Sequence, residues 1–245
     1  MQSLTAESNS SPPRSALKLE LAKAMALMEQ RQSRNKLAAY GPYTKQREFH
    51  KAGSSIEERL FMAGNQLGKT LAGAMETAMH LTGRYPDWWD GAVFDKPTKF
   101  WVGGVSGEAV RDNPQRLLIG PPQIKAAWGT AAIPGDALAD YAPARGVADL
   151  LDSVVIKHGG GGDVQQGESI LLLKSYEKGR EKWQGDTIDG LWDDEEPPAD
   201  IYSEGRTRTQ NGQRGVFVYL TFTPLLGMSE IVRLFLTEDA IKGMT

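Results

Sequence analysis

Arg59-Leu-Phe-Met62, then Ala63-Gly-Asn-Gln-Leu-Gly68-Lys69-Thr70, then Leu71-Ala-Gly-Ala-Met75 is the stretch on which the fold turns. A short apolar strand runs into a glycine-containing loop that ends in Lys-Thr, and an Ala- and Met-rich helix follows, expected over Thr70 to Leu81. The spacing is that of a phosphate-binding loop in its relaxed form, with Ala63 in place of the first glycine. Each residue type has a reason. Glycines let the backbone N–H groups of Gly64, Asn65, Gln66, Leu67 and Gly68 wrap a phosphate, and the helix N-terminus adds positive potential. Lys69 reaches terminal phosphates, and the Thr70 hydroxyl suits a Mg²⁺ shell. Without its flanks the same loop could be an ordinary glycine-rich turn with a solvent-facing lysine.

Outward from this loop, strands and helices alternate. Lys99 to Val105 is an expected strand. Ser106 to Leu118 is an expected helix, with Ser106 as its cap and Glu108 in its first turn. Ser153 to Lys157 and Ser169 to Lys174 are expected to pair around a glycine-rich loop from His158 to Gly167. A strand near Ile188 to Trp192, a helix from Ala199 or Asp200, a strand over Gly215 to Phe222 and a helix from Ser229 complete the pattern. The alternation implies an α/β fold with a mostly parallel central sheet flanked by helices.

A nucleotide hydrolase needs an acidic pair at the end of a nearby strand, one carboxylate for the metal and one for the attacking water. Trp192-Asp-Asp-Glu-Glu-Pro197 offers Asp194 for Mg²⁺ and Glu195 for the water. Taken alone, an acidic cluster ending in Pro-Pro is more often the solvated start of a helix, and the upstream phosphate loop reverses that reading.

Composition narrows the chemistry. The 245 residues are 40% apolar and 24% charged, enough for one large domain or two small ones. Cysteine is absent and only three histidines occur, which argues against disulfide scaffolds, thiol nucleophiles and zinc sites. A net charge of −3 argues against a general nucleic-acid footprint but leaves room for a local basic patch. Residues 1–14 read as a disordered leader with no signal-peptide pattern, and no segment has the length and apolarity of a membrane span, so a cytosolic protein is expected. Leu17, Leu21, Ala24 and Met28 recur at helical spacing, giving a helical extension over 15–40 ahead of a main domain over 41–245. Thr44 to His50 is expected to be a short helix.

The residues together resemble the ATPase domain of the large terminase subunit of tailed bacteriophages. The resemblance runs from about Tyr43 to Val232 and rests on Gly64 to Thr70, Tyr85-Pro-Asp-Trp-Trp89, Lys174-Ser-Tyr-Glu-Lys-Gly-Arg180 with Trp183-Gln-Gly185, Asp194-Glu-Glu-Pro-Pro198, and Thr221-Phe-Thr-Pro-Leu225 with Gly227. It implies a P-loop NTPase of the additional-strand, catalytic-glutamate (ASCE) type that hydrolyses ATP with Mg²⁺ and drives double-stranded DNA into a procapsid. It further implies a ring of subunits, contacts with the portal protein and the small terminase subunit, and action in the host cell cytoplasm. Gln46 resembles the adenine-recognising glutamine, and Thr223 in Thr221-Phe-Thr223 the coupling hydroxyl that senses the terminal phosphate; an exposed helical glutamine and a strand end packed by Phe222 are the plainer alternatives. The phosphate loop departs from many relatives, carrying Gln66 and Leu67 where an arginine is common. Arg111 is therefore the candidate for an arginine acting in trans, and Arg208 for a sensing role. Trp88, Trp89 and Trp183 fit core packing better than base stacking. The family's C-terminal nuclease domain has no counterpart in this polypeptide, so no nuclease activity is expected of it. Two alternatives remain at this stage: a helicase-like ATPase, and a nucleotide-binding assembly module with little hydrolysis.

Overall fold

Seven strands form one sheet in the order β1-β7-β6-β2-β5-β4-β3. The computed structural model describes residues 35–64, 66–159, 164–225 and 227–236, together with Lys18, Leu21, Lys23 and Met25. Those four are helical and exposed; the expected leader, Leu17, Ala24, Met28, Asn65 and the tip of the glycine-rich loop lie outside the described residues. The order along the chain is α1 (Thr44–Ala52), β1 (Glu58–Met62), α2 (Lys69–Thr82), β2 (Lys99–Gly104), α3 (107–118), β3 (Leu138–Pro143), β4 (Leu151–His158), β5 (Gly167–Ser175), β6 (Gly190–Asp194), α4 (Ala199–Thr209), β7 (Val218–Phe222) and α5 (Glu230–Phe235).

Strands β1, β7, β6, β2 and β5 are parallel, while β4 and β3 run antiparallel at one edge. The mostly parallel sheet is as expected, and so is the β4–β5 pairing, with Ser153 opposite Leu172. Side chains alternate between two apolar layers. Phe100, Val102, Trp192 and Tyr219 face α1 and α2; Trp101, Leu191, Val218, Leu220 and Phe222 face α4 and α5, with Trp183 fully buried among them. Trp88 and Trp89 pack partly buried against the first layer, so all three tryptophans serve packing.

Helix α3 is not one regular helix. It runs as Gly107–Val110, a π-helical turn Arg111–Gln115, and Arg116–Leu118. Pro114 sits inside the turn. Proline has no N–H and its ring crowds the carbonyl four residues back, so the wider turn relieves a clash a regular helix would carry. Ser106 caps this helix as expected, its Oγ accepting from the Ala109 N–H at 3.1 Å.

Strand β3 is not foreseen from the sequence. It is an edge strand that is almost wholly exposed, with a register shift on either side of its centre and Pro143 at its end, so it lacks the apolar alternation that announces a strand. The extension expected over 15–40 also ends differently: residues 36–39 are turns rather than helix. Leu37 and Tyr40 are buried in the α2-side core, which joins this segment to the main domain.

Candidate functional site

The loop after β1 and the acidic turn after β6 meet at the C-terminal edge of the sheet, with β7 between their strands. Gln66 and Gly68 take left-handed backbone, at φ 60° and 73°. Gly68 also packs close against α1: a Cβ there would lie 2.9 Å from Gln46 Nε2 and 3.3 Å from the Tyr43 hydroxyl. Both reasons call for glycine.

Lys69 opens α2 and is 7% exposed. Its Nζ donates to Gly64 O at 2.7 Å and to Thr223 Oγ1 at 2.9 Å. Thr223 Oγ1 donates in turn to Ala63 O at 3.1 Å. The end of β7 is thus tied to both ends of the phosphate loop.

Asp194 closes β6 and faces the same layer. Its Oδ1 accepts from Thr221 Oγ1 at 2.8 Å, and that hydroxyl accepts from the Trp192 indole N–H at 2.8 Å. Thr70 is a second hydroxyl partner of the Asp194 carboxyl. Burial pushes Asp194 up to about 7 against the pull of those two hydroxyls. Burial also raises Glu195, opposed by the Lys69 charge and by the main-chain N–H of Thr223. Glu195 itself has φ 65°, and a non-glycine residue in that region costs about 1–3 kcal/mol and persists only where its surroundings hold it. The neighbouring Asp193 points to the other face, fully buried and pushed up to about 7 by burial and by the adjacent Asp194.

Gln46 stands beside this site in α1. Its Nε2 donates to Gly68 O at 2.9 Å and its Oε1 accepts from Tyr43 N at 3.3 Å. A primary amide carries two N–H groups and two carbonyl lone pairs, so each end keeps capacity for a further partner. Tyr43, Gln46, Met62, Leu67, Gly68 and Leu71 line a mainly apolar cavity of 640 Å³.

The arginines separate. Arg111 lies in the π-helical turn after β2, three places along the sheet from β1. Its guanidinium is held by Asp112 at 2.8 and 2.9 Å and by Ala148 O at 3.2 Å, on the flank away from its own phosphate loop. Arg208 lies apart from the other candidates. It pairs with Glu204 at 2.8 Å, and its carbonyl accepts from Ile188 N at 3.0 Å, just before β6 begins. Helix α4 runs back along the sheet, so its last turn lies at the edge opposite Asp194, a strand's length of roughly 17 Å away.

Sequence reasoning assigned no individual role to Thr221, Trp192 and Tyr176. All three sit within motifs named above, and the signal for the first two is strand register: Asp194 is opposite Thr221, and alternation puts Trp192 on the same face.

A phosphate loop on β1, an acidic pair ending β6 and one additional parallel strand between them define an ASCE P-loop NTPase. A family model described as "Terminase large subunit, T4likevirus-type, N-terminal" matches residues 60–245. The chain belongs to the terminase large subunit family. The large terminase subunit of Salmonella phage P22 is 42% identical over 234 residues, which are 91% of this chain and 46% of that protein. The large subunit of Enterobacteria phage LP7 is 27% identical over 240 residues, 91% of this chain and 48% of that protein. The chain therefore spans about half the length of the curated relatives it matches. Among solved structures, the large terminase ATPase domain of Thermus phage P74-26 superposes with a TM-score of 0.50 at 17% identity, over 76% of this chain and 66% of that one.

Proposed function

We propose that the chain is the ATP-hydrolysing motor domain of a DNA-packaging terminase, acting in the host cell cytoplasm to drive double-stranded DNA into the procapsid. The observation that carries the reading is the junction of Lys69, Thr223, Asp194 and Glu195. One buried ammonium lies 2.9 Å from the Thr223 hydroxyl just after β7, beside the acidic pair at the end of β6.

ATP would place its adenine in the cavity beside Gln46, whose amide can both donate to and accept from the base edge. Its phosphates would lie on the N–H groups of 63–70 and against Lys69. Thr70 and Asp194 offer hard oxygen donors that already meet across the gap between loop and strand, which suits Mg²⁺. Mg²⁺ bound there would supply neutralising charge to the phosphate oxygens.

Glu195 would take a proton from the attacking water as its oxygen bonds to the γ-phosphorus and the bond to the β-phosphate oxygen breaks. Lys69 and Thr223 share one hydrogen bond, so a change at the terminal phosphate reaches β7 directly. That is the basis for assigning Thr223 the coupling role. An arginine delivered by a neighbouring subunit would complete the charge balance, and Arg111, held away from its own loop, is the candidate. Partners proposed with this reading are DNA, the portal protein, the small terminase subunit and further copies of the chain in a ring.

The test is phosphate release from ATP against protein concentration, with double-stranded DNA present. Turnover per chain is expected to rise with concentration and to vanish in Lys69→Ala. Equal, slow release by both proteins at all concentrations overturns the ATPase reading. In equimolar mixtures, Arg111→Ala is expected to pull the rate below the mean of the two separate rates, because an arginine in trans contributes about 10³-fold or more to each neighbour's turnover. Additive rates remove Arg111 from that role.

A further inference from the structure

The turn that presents Glu195 is braced from beneath by a residue outside the nucleotide-binding motifs. Tyr176 begins the short 3₁₀ turn Tyr176–Lys178 that follows β5. Its ring is buried against Trp183, with centroids 5.8 Å apart. Its hydroxyl lies 3.1 Å from Glu195 O, 3.2 Å from Asp194 O and 3.3 Å from Asp193 Oδ1. One O–H thus reaches both carbonyls of the acidic pair.

We propose that the Tyr176 hydroxyl is a positioning residue for hydrolysis, fixing the left-handed peptide at Glu195 so that its carboxylate faces the phosphate loop. The proposal rests on the ATPase reading above and adds to it a residue that touches neither nucleotide nor loop.

Three observations support it. Glu195 at φ 65° needs external restraint, and its backbone is gripped from two sides. Its N–H donates to Thr221 O at 3.1 Å, while its carbonyl accepts from Tyr176. Neither partner contacts the carboxylate, so the clamp acts on direction alone. Next, Gly103 on β2 leaves the room this cluster fills. A Cβ there would lie 2.5 Å from Asp193 Oδ1, 2.7 Å from the Tyr176 ring and 2.7 Å from Trp183. Last, the turn carrying Tyr176 is anchored elsewhere. Glu177 Oε1 accepts from the Gly107 N–H at 2.8 Å, and Glu177 N donates to Val105 O at 3.3 Å. The brace is therefore fixed to the start of α3, the helix that carries Arg111, rather than to the phosphate loop.

Tyr176→Phe removes the hydroxyl and keeps the ring. Because a small misdirection of a catalytic group can cost up to about 10²-fold, kcat for ATP is expected to fall about 10-fold while KM stays within about twofold of wild type. Amide exchange is expected to quicken at Asp194, Glu195 and Glu196 and to stay unchanged in α2 and β1. A kcat within about twofold of wild type overturns the proposal. So does a parallel change in kcat, KM and exchange throughout the core, which marks general loosening. The exchange measurement needs no hydrolysis. If wild type releases phosphate no faster than Lys69→Ala, the ATPase reading falls, and exchange then decides the brace alone: quickening confined to the turn upholds it, and uniform or absent quickening overturns it.

Discussion

Glu195→Gln is expected to lower ATP turnover by about 10²–10⁴-fold, the usual contribution of a positioned general base, while leaving nucleotide affinity near the wild-type value. The substitution keeps the shape of the side chain and the backbone clamp, since Thr221 O and Tyr176 engage only the main chain. What it removes is the capacity to take up a proton. Affinity should hold because the groups assigned to the adenine and the phosphates, Gln46, Lys69 and the loop N–H groups, are untouched. Glu196→Gln is the matched control. Glu195 feels the Lys69 charge and accepts from the Thr223 N–H, and Glu196 has no role assigned at the site, so the neighbour should turn over ATP normally. Single-turnover hydrolysis of bound ATP, compared with binding of a non-hydrolysable analogue, separates the two quantities. If Glu195→Gln turned over within about twofold of wild type, or lost binding and turnover together, the carboxylate would not be the base.

How much of this site was legible beforehand depends on where its information lies. The phosphate loop is contiguous, and its glycines, lysine and threonine each have one job, so Ala63 to Thr70 could be placed between strand and helix from the sequence alone. The acidic pair was legible only jointly with that loop, because Asp193 and Asp189 spoil the apolar run expected of a buried strand. Burial explains the exception. Asp193 points into the layer of Trp183 and Tyr176 and is raised to about 7, which lets a carboxyl occupy an apolar position. Tyr176 was not legible as part of the site, since two of its three partners are main-chain carbonyls about twenty residues on, which carry no side-chain signature. The place of Arg208 at the opposite edge was not legible, because sequence gives its distance along α4 but not the direction in which α4 runs. The edge strand β3 hid for a related reason, its residues answering to solvent and not to a core.

The second large effect is expected far from the phosphates. Glu76, on α2, is fully buried and is the hub of a polar cluster. Arg59 Nη2 donates to its Oε1 at 2.7 Å and His50 Nδ1 approaches its Oε2 at 2.7 Å, with His80 Nε2 at 3.4 Å. His50 Nε2 meets the Tyr40 hydroxyl at 3.0 Å, and His80 Nδ1 meets the Tyr85 hydroxyl at 3.0 Å. Each imidazole thus bridges Glu76 and a tyrosine hydroxyl, and the Glu76 carboxylate faces the Arg59 guanidinium. Arg59 Nη1 also donates to Phe49 O at 2.9 Å, and the guanidinium is enclosed by the Phe49, Phe217 and Tyr219 rings at 4.8 to 5.2 Å. Burial alone would push the Glu76 carboxyl up, but Arg59 and the two imidazoles outweigh it and hold it well below the ordinary range.

Glu76→Gln leaves Arg59 charged, buried and unpaired, and is expected to cost about 3–5 kcal/mol of stability at neutral pH. The pH dependence distinguishes this from a packing defect. A carboxyl with a depressed folded value stabilises above its unfolded value of about 4.3, and that contribution is lost as pH falls through the folded one. His80 begins the acid decline earlier: burial lowers its folded value, so the unfolded chain takes up the proton first below about pH 6.5. Denaturant melts of both proteins should therefore show the widest gap near neutrality and a narrowing one below about pH 4.3. A gap of constant size down to about pH 3 would mean that ionised Glu76 is not what joins α2 to β1 and α1. Because α1 carries Gln46, the same variant should loosen the wall of the adenine cavity, raising KM for ATP before it touches kcat.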